Sequence, residues 1–213
     1  MVTVKILNLG FSWVFNFILA PFDLGDLLRA FSRRGYEVLM KLPPVPFGGK
    51  VGGAGVIARR NDFEIYVNTD RQIIGVRGAA SFDELDPIVQ NVKAILVSDF
   101  DVDFSQNLWY CEVLASLKVM GEDVIEKMRK VPIKDVPELR EIIGEYGLVG
   151  FRIGSRGSLP TQSNWFDIEV HPEWANPTKF FTISIVYRNV SEENVILLAR
   201  KLEEVALYLL RLI

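Results

Sequence analysis

Asp167, Glu169 and His171 alternate along the stretch DIEVHPE, with Glu173 just beyond. These residue types ligate divalent metals. On a strand they share one face but spread over about 13 Å, at 3.3 Å per residue. Two of them with a group from elsewhere would serve a divalent ion, and the alternative is a solvated polar strand face. His171 is the only histidine, which excludes multi-histidine zinc sites. A second candidate is PFGGKVGGAGV, residues 46–56, where five glycines surround Lys50. A phosphate-binding loop needs lysine followed by Ser or Thr at a helix N-terminus, whereas Lys50 is followed by Val51 and the segment leads into a strand. A dinucleotide fingerprint would open a helix within a βαβ unit, which this sequence lacks. A surface loop is the better description. Asp99, Asp101 and Asp103 have calcium-loop spacing but lack its glycine and its twelfth-position glutamate. Cys111 sits mid-strand without a histidine at a recognisable spacing, as a packed thiol would. The expectation is a non-enzymatic protein with no cofactor.

Basic residues form short clusters at Arg33–Arg34, Arg59–Arg60 and Lys127–Arg129–Lys130. Arg59, Arg60, Arg71 and Arg77 fall on neighbouring predicted strands, where they would make a phosphate-contacting patch or solvated strand edges that deter unwanted pairing. The formal charge of −3 and the pI near 5.4 give no global nucleic-acid signature. Apolar residues make up 49% of 213, with 14 Phe and 4 Trp, ample for a sizeable core. A single cysteine excludes an internal disulfide and fits a reducing, cytoplasmic setting. The apolar N-terminus is interrupted by Lys5, Asn8, Ser12 and Asn16, so it predicts a buried β segment and no membrane span.

The elements that must position these residues follow from periodicity. Phe11, Trp13, Phe15, Phe17 and Leu19 alternate as a strand facing a core. Asp23 caps a helix whose Leu24, Leu27, Leu28 and Phe31 share one face, and Gly35 stops it. Strands are predicted at 36–42, 55–60, 63–68 and 72–78, with a hairpin between the last two. Ser81 caps a second helix, through 96. A polar joint follows, and the pattern restarts with a strand at 108–120, two short helices around Pro132 and Pro137, and strands at 147–154, 165–171 and 180–188. Ser191 caps a long final helix. Val195, Leu198, Leu202, Val205, Leu209 and Ile213 form its core stripe, while Leu197, Leu207 and Leu212 fall outside it. That excess apolar surface predicts a partner, such as a second copy in a homodimer, or a satellite core.

Residues 1–98 and 108–213 therefore read as two repeats of pattern around a joint at 99–107. Joined edge to edge they form an α+β layer: one curved antiparallel sheet of two pseudo-symmetric repeats, with helices packed on one face. The segment IYVNTDRQIIGVRGAASFDEL carries a hairpin with a basic residue that leads through Gly-Ala-x-Ser into a helix. In this layout, and in element order, the chain resembles the TATA-box-binding protein family. The resemblance implies a saddle whose open sheet face and two flanking loops bind a partner. Phe47 and Lys50 would sit in one loop and Arg156 and Leu159 in the other.

Alternation in the second half places Phe166, Ile168, Val170, Phe181, Ile183, Ile185 and Tyr187 on the core face. Trp165, Asp167, Glu169, His171, Phe180, Thr182, Ser184, Val186 and Arg188, with Arg152 alongside, occupy the open face. The resulting expectation is a binding protein of transcription or nucleic-acid processing, with nucleic acid or a protein as partner. The alternative is a small apolar ligand, or an enzyme pocket, between the sheet and the last helix.

Overall fold

The computed structural model describes residues 3–16, 23–41, 53–121 and 123–212. Nine strands form one sheet: β1 (Thr3–Phe15), β2 (Glu37–Val38), β3 (Ala54–Arg60), β4 (Phe63–Asn68), β5 (Ile73–Gly78), β6 (Leu108–Met120), β7 (Phe151–Gly154), β8 (Trp165–Pro172) and β9 (Phe180–Asn189). Their order is β2-β3-β4-β5-β1-β6-β9-β8-β7, and every pairing is antiparallel. The described helices are α1 (Leu24–Arg33), α2 (Phe82–Phe100), α3 (Phe104–Asn107), α4 (Val124–Arg129), α5 (Pro137–Ile143), α6 (Glu192–Arg200) and α7 (Leu202–Leu209). None is long and apolar enough to cross a membrane.

The period-two pattern decides which side of the sheet the helices cover. Leu9, Phe11, Trp13 and Phe15 of β1 are buried, as are Ile74 and Val76 of β5, Val113, Leu117 and Val119 of β6, and Ile183 and Ile185 of β9. Phe11 packs against Phe82 of α2, and Trp13 and Phe15 meet Phe104 edge-on. At the start of α1 the Asp23 carboxylate accepts the Gly25 and Asp26 N–H groups at 2.8 and 3.2 Å, and Leu24, Leu27, Leu28 and Phe31 are buried as their spacing predicts. At the start of α2 the Glu84 carboxylate accepts the Ser81 N–H at 2.9 Å.

Four expectations are corrected. The strand predicted at 36–42 is ordered in the sheet only at Glu37–Val38, with Leu42 outside the described residues. The strand predicted at 147–154 is confined to Phe151–Gly154. Gly150 lies so close to β8 that a Cβ there would meet the Val170 carbonyl oxygen at 2.8 Å. The joint at 99–107 is not an open polar link, because α2 runs to Phe100 and α3 occupies 104–107. Val102 and Phe104 explain this: both are apolar and both pack against the core. The long final helix breaks at Lys201 into α6 and α7, followed by a 3-10 turn at Leu210–Leu212. Leu197, Leu207 and Leu212 are exposed, as predicted. Phe17, Leu19 and Ile213 lie outside the described residues.

One polar contact crosses the core. The Glu192 carboxylate at the start of α6 accepts the Trp13 indole N–H at 3.2 Å and the Lys93 ammonium at 2.5 Å. The same ammonium lies 4.9 Å from the centre of the Phe104 ring. β1, α2, α3 and α6 are thereby tied at one point, joining segments from both ends of the chain.

Candidate functional site

The helices cover one face of the sheet, and the cross-strand register assembles the described part of the opposite face from residues distant in sequence. Ser12 of β1 lies opposite Gly75 of β5 on one side and Glu112 of β6 on the other. Gly75 in turn lies opposite Tyr66 of β4. The Tyr66 ring lies flat across the gap that Gly75 leaves and reaches towards Gly10: a Cβ at Gly75 would meet the ring at 2.5 Å, while one at Gly10 would sit 3.8 Å from the Tyr66 hydroxyl. Burial pushes the Tyr66 phenol up to about 12, helped by the negative charge of Glu112. Tyr66 is therefore a neutral hydrogen-bonding group at all ordinary pH values.

Across the centre, the Glu112 carboxylate is buried and accepts a hydrogen bond from Arg188 Nε of β9. The Arg188 guanidinium lies between two aromatic rings, 5.2 Å from the centres of both Tyr110 and Trp165. Its other arm donates to the Pro160 carbonyl at 2.5 Å, which holds the 155–164 loop against this end of the sheet. Burial raises the Tyr110 phenol as well, against the opposing effect of the Arg188 charge. The arrangement is a cation held by a carboxylate and stacked on rings.

The predicted basic patch is divided by the pleat. Arg59 and Arg77 both reach Glu64, each at 2.9 Å, and Arg77 also lies over Tyr66 at 5.9 Å. Arg60, one residue further along β3, turns to the helix side. There it covers the Tyr36 ring at 5.3 Å and donates to the Asn91 side chain at 3.4 Å. The expectation that Arg60 joins the other three is corrected by this alternation. Arg71, in the β4–β5 turn, has no ion-pair partner among the described residues. Arg152 of β7 is paired with Asp167 of β8, Arg156 is exposed in the following loop, and Phe47 and Lys50 lie outside the described residues.

Arg59 and Arg77 hold the Glu64 carboxyl below the usual carboxylate range. A group depressed in the folded state stabilises above its unfolded pKa, and that contribution disappears as pH falls through the folded value. Between pH 6 and pH 3, Glu64→Gln should therefore lose less stability than the parent chain. The difference should be under about 1 kcal/mol for this partly exposed pair, measured by urea unfolding at each pH.

The metal candidates lie in a row along β8. Asp167, Glu169 and His171 do share the open side of β8, in register with Val186, Ser184 and Thr182 of β9. However, Asp167 is engaged by Arg152, and no group of three metal-ligating side chains converges among the described residues. The strand spacing keeps the three apart, as the 3.3 Å rise requires. Cys111 is fully buried, and burial pushes its thiol pKa up, so it is not a thiolate nucleophile.

Two cavities open on this face. The larger, about 490 Å³, lies at the rim between the β4–β5 turn and the start of β6. The other, about 380 Å³, lies nearer the centre beside Tyr66 and Leu114. Beneath α6 and α7, where a ligand pocket was the alternative expectation, Val195, Ala199, Leu202, Ala206 and Leu209 are buried against the sheet. Sequence reading missed Tyr66, Tyr110, Glu112 and Gln72. Isolated glycines in strands, here Gly10 and Gly75, were the available signal for Tyr66, because they mark a close approach. Comparison with known proteins finds no match: no family model, no curated protein and no solved structure matches the chain.

Proposed function

We propose that this chain is a non-enzymatic binding protein that holds a protein partner against the open face of its sheet. One observation carries the reading: the face is rich in aromatic and aliphatic surface, yet most of the cations along its strands are neutralised in place, Arg71 at the rim being an exception. Arg59 and Arg77 share Glu64, Arg188 is bound to Glu112, Arg152 to Asp167, and Lys118 to Glu173 at 2.7 Å. Nucleic-acid binding draws its affinity from cations that release counterions on meeting phosphates. Cations already paired with carboxylates supply little of that. Exposed Leu114 and Trp109, set among satisfied ion pairs, have the anatomy of a protein interface with an apolar centre and a polar rim.

The strand order, with β1 and β6 at the centre, supports an architecture similar to the TATA-box-binding protein family, with repeats at 1–98 and 108–213. In that architecture α1 and α2 correspond to α4 and to α6 with α7. The 155–164 loop, pinned by Arg188, takes the place of one of the two flanking arms.

Crosslinking in cells of origin, with Leu114→Glu on the open face and Leu197→Glu on the helix side, tests the assignment. The expected result is a partner lost with the first variant and kept with the second. A duplex DNA that binds at low salt, is released as salt rises and is weakened by Arg71→Gln and Arg77→Gln would overturn it in favour of nucleic acid.

A further inference from the structure

The rim cavity brings together three groups whose requirements are not met among the described residues. Arg71 lines it and has no ion-pair partner among the described residues. Gln72 lines it from the next position, with its side-chain nitrogen donating to the Thr69 carbonyl at 2.5 Å. That bond fixes the amide orientation, since only the NH2 end can donate to a carbonyl. The other end, Oε1, is buried and receives no hydrogen bond among the described residues. Trp109, nearly half exposed, stands against Tyr110 with ring centres 5.1 Å apart and planes at 62°. Val14 and Ile73 complete an apolar wall, and the Glu112–Arg188 pair closes the far end.

We propose that this cavity is a binding site for a small aromatic acid that carries an N–H or O–H donor. The acidic group pairs with Arg71, the ring lies along Trp109, Val14 and Ile73, and the donor satisfies Gln72 Oε1. Each alternative class leaves something unmet. A cation would face Arg71 and Arg188. A purely apolar ligand would leave the Gln72 oxygen, already sealed from water, still without a partner, and would gain nothing from Arg71. A volume of about 490 Å³ falls within the range of sites for molecules of this size. The site adjoins the partner surface argued above, with Trp109 at their boundary and Arg71, Ile73 and Glu112 lining both cavities, while Leu114 lines only the central one.

Isothermal titration calorimetry with 6-hydroxy-2-naphthoate as probe, and 2-naphthol as its uncharged comparison, tests the proposal at neutral pH. The naphthoate should bind saturably at one site and about tenfold more tightly than 2-naphthol, the scale of one charge-assisted hydrogen bond. Arg71→Gln should abolish that preference, while Arg71→Lys, which keeps the charge, retains most of it. 2-Naphthoate, lacking the hydroxyl donor, should bind several-fold more weakly than its hydroxylated parent. Leu114→Gln, which adds no charge beside Arg71, should leave all of these affinities unchanged, so loss of the protein partner and loss of this site are read separately. Arg71 is exposed, and an unchanged circular dichroism spectrum of each variant establishes that the fold is intact. Absence of saturable naphthoate binding, equal affinity for 2-naphthol, or indifference to Arg71→Gln would each overturn the assignment.

Discussion

Gly75→Ala should destabilise the protein by about 3 kcal/mol, at the upper end of what overpacking a core position costs. The added methyl group would lie 2.5 Å from the Tyr66 ring and 2.7 Å from the Phe11 carbonyl oxygen. The ring could leave the face, but the carbonyl belongs to the central ladder between β5 and β1 and cannot retreat without breaking it. Gly10→Ala is the contrasting change: its Cβ would meet only ordinary contacts, 3.6 Å from Arg77 and 3.8 Å from Leu114 and Tyr66. That variant should remain within about 1 kcal/mol of the parent, as tolerated substitutions do. Thermal unfolding separates the two, at about 2–4 °C per kcal/mol for a chain of this length. Adding Tyr66→Ala to Gly75→Ala should restore part of the loss, and the Phe11 clash sets the part that stays. Equal melting temperatures for the two glycine variants would show that Tyr66 does not lie across Gly75.

The second large effect is expected at Glu192. Replacing it with alanine leaves the buried Trp13 indole N–H and the half-buried Lys93 ammonium without their shared acceptor. A loss of about 2–3 kcal/mol follows from an unsatisfied buried donor together with a stranded charge. Glu192→Gln keeps an oxygen for Trp13 and gives up the charge attraction to Lys93, so it should fall between alanine and the parent. Urea unfolding with a double-mutant cycle against Trp13→Phe isolates the contact. In the phenylalanine background there is no indole N–H to strand, so the cost of Glu192→Ala should shrink by about 1 kcal/mol. Strict additivity of the two changes would exclude the indole bond as a stabilising element.

The sheet was legible in the sequence where one face is apolar and the other is not. Phe11, Trp13 and Phe15 announce β1, and Ile183 and Ile185 announce β9, because burial on one side imposes period two. Short edge strands were not legible. Glu37–Val38 and Phe151–Gly154 each pair with one neighbour only, so their length is set by how far that neighbour stays in reach. The 98–107 segment looked polar because Asp99, Asp101 and Asp103 alternate through it, yet Phe100, Val102 and Phe104 suffice to draw it onto the core.

For the candidate site, alternation could have separated Arg59 from Arg60, since adjacent strand residues point to opposite faces. Register was what the sequence withheld. Nothing local links Glu112 to Arg188, 76 positions apart, or sets Tyr66 across Gly75. Such pairs exist only once the hydrogen-bond ladders have chosen their alignment.

The pairing of β1 with β6 has a geometric consequence of its own. An antiparallel ladder is its own image under a twofold axis perpendicular to the sheet, so the seam between the two halves is one that two identical halves could also make. The ladder runs from Thr3 opposite Met120 to Phe15 opposite Leu108, almost the full length of both strands. Cut between α3 and β6, each piece would carry a naked thirteen-residue border with its row of amide donors and acceptors. The chain escapes that hazard by supplying both borders in one polypeptide, so the sheet's longest potential sticky edge is sealed by its own other half.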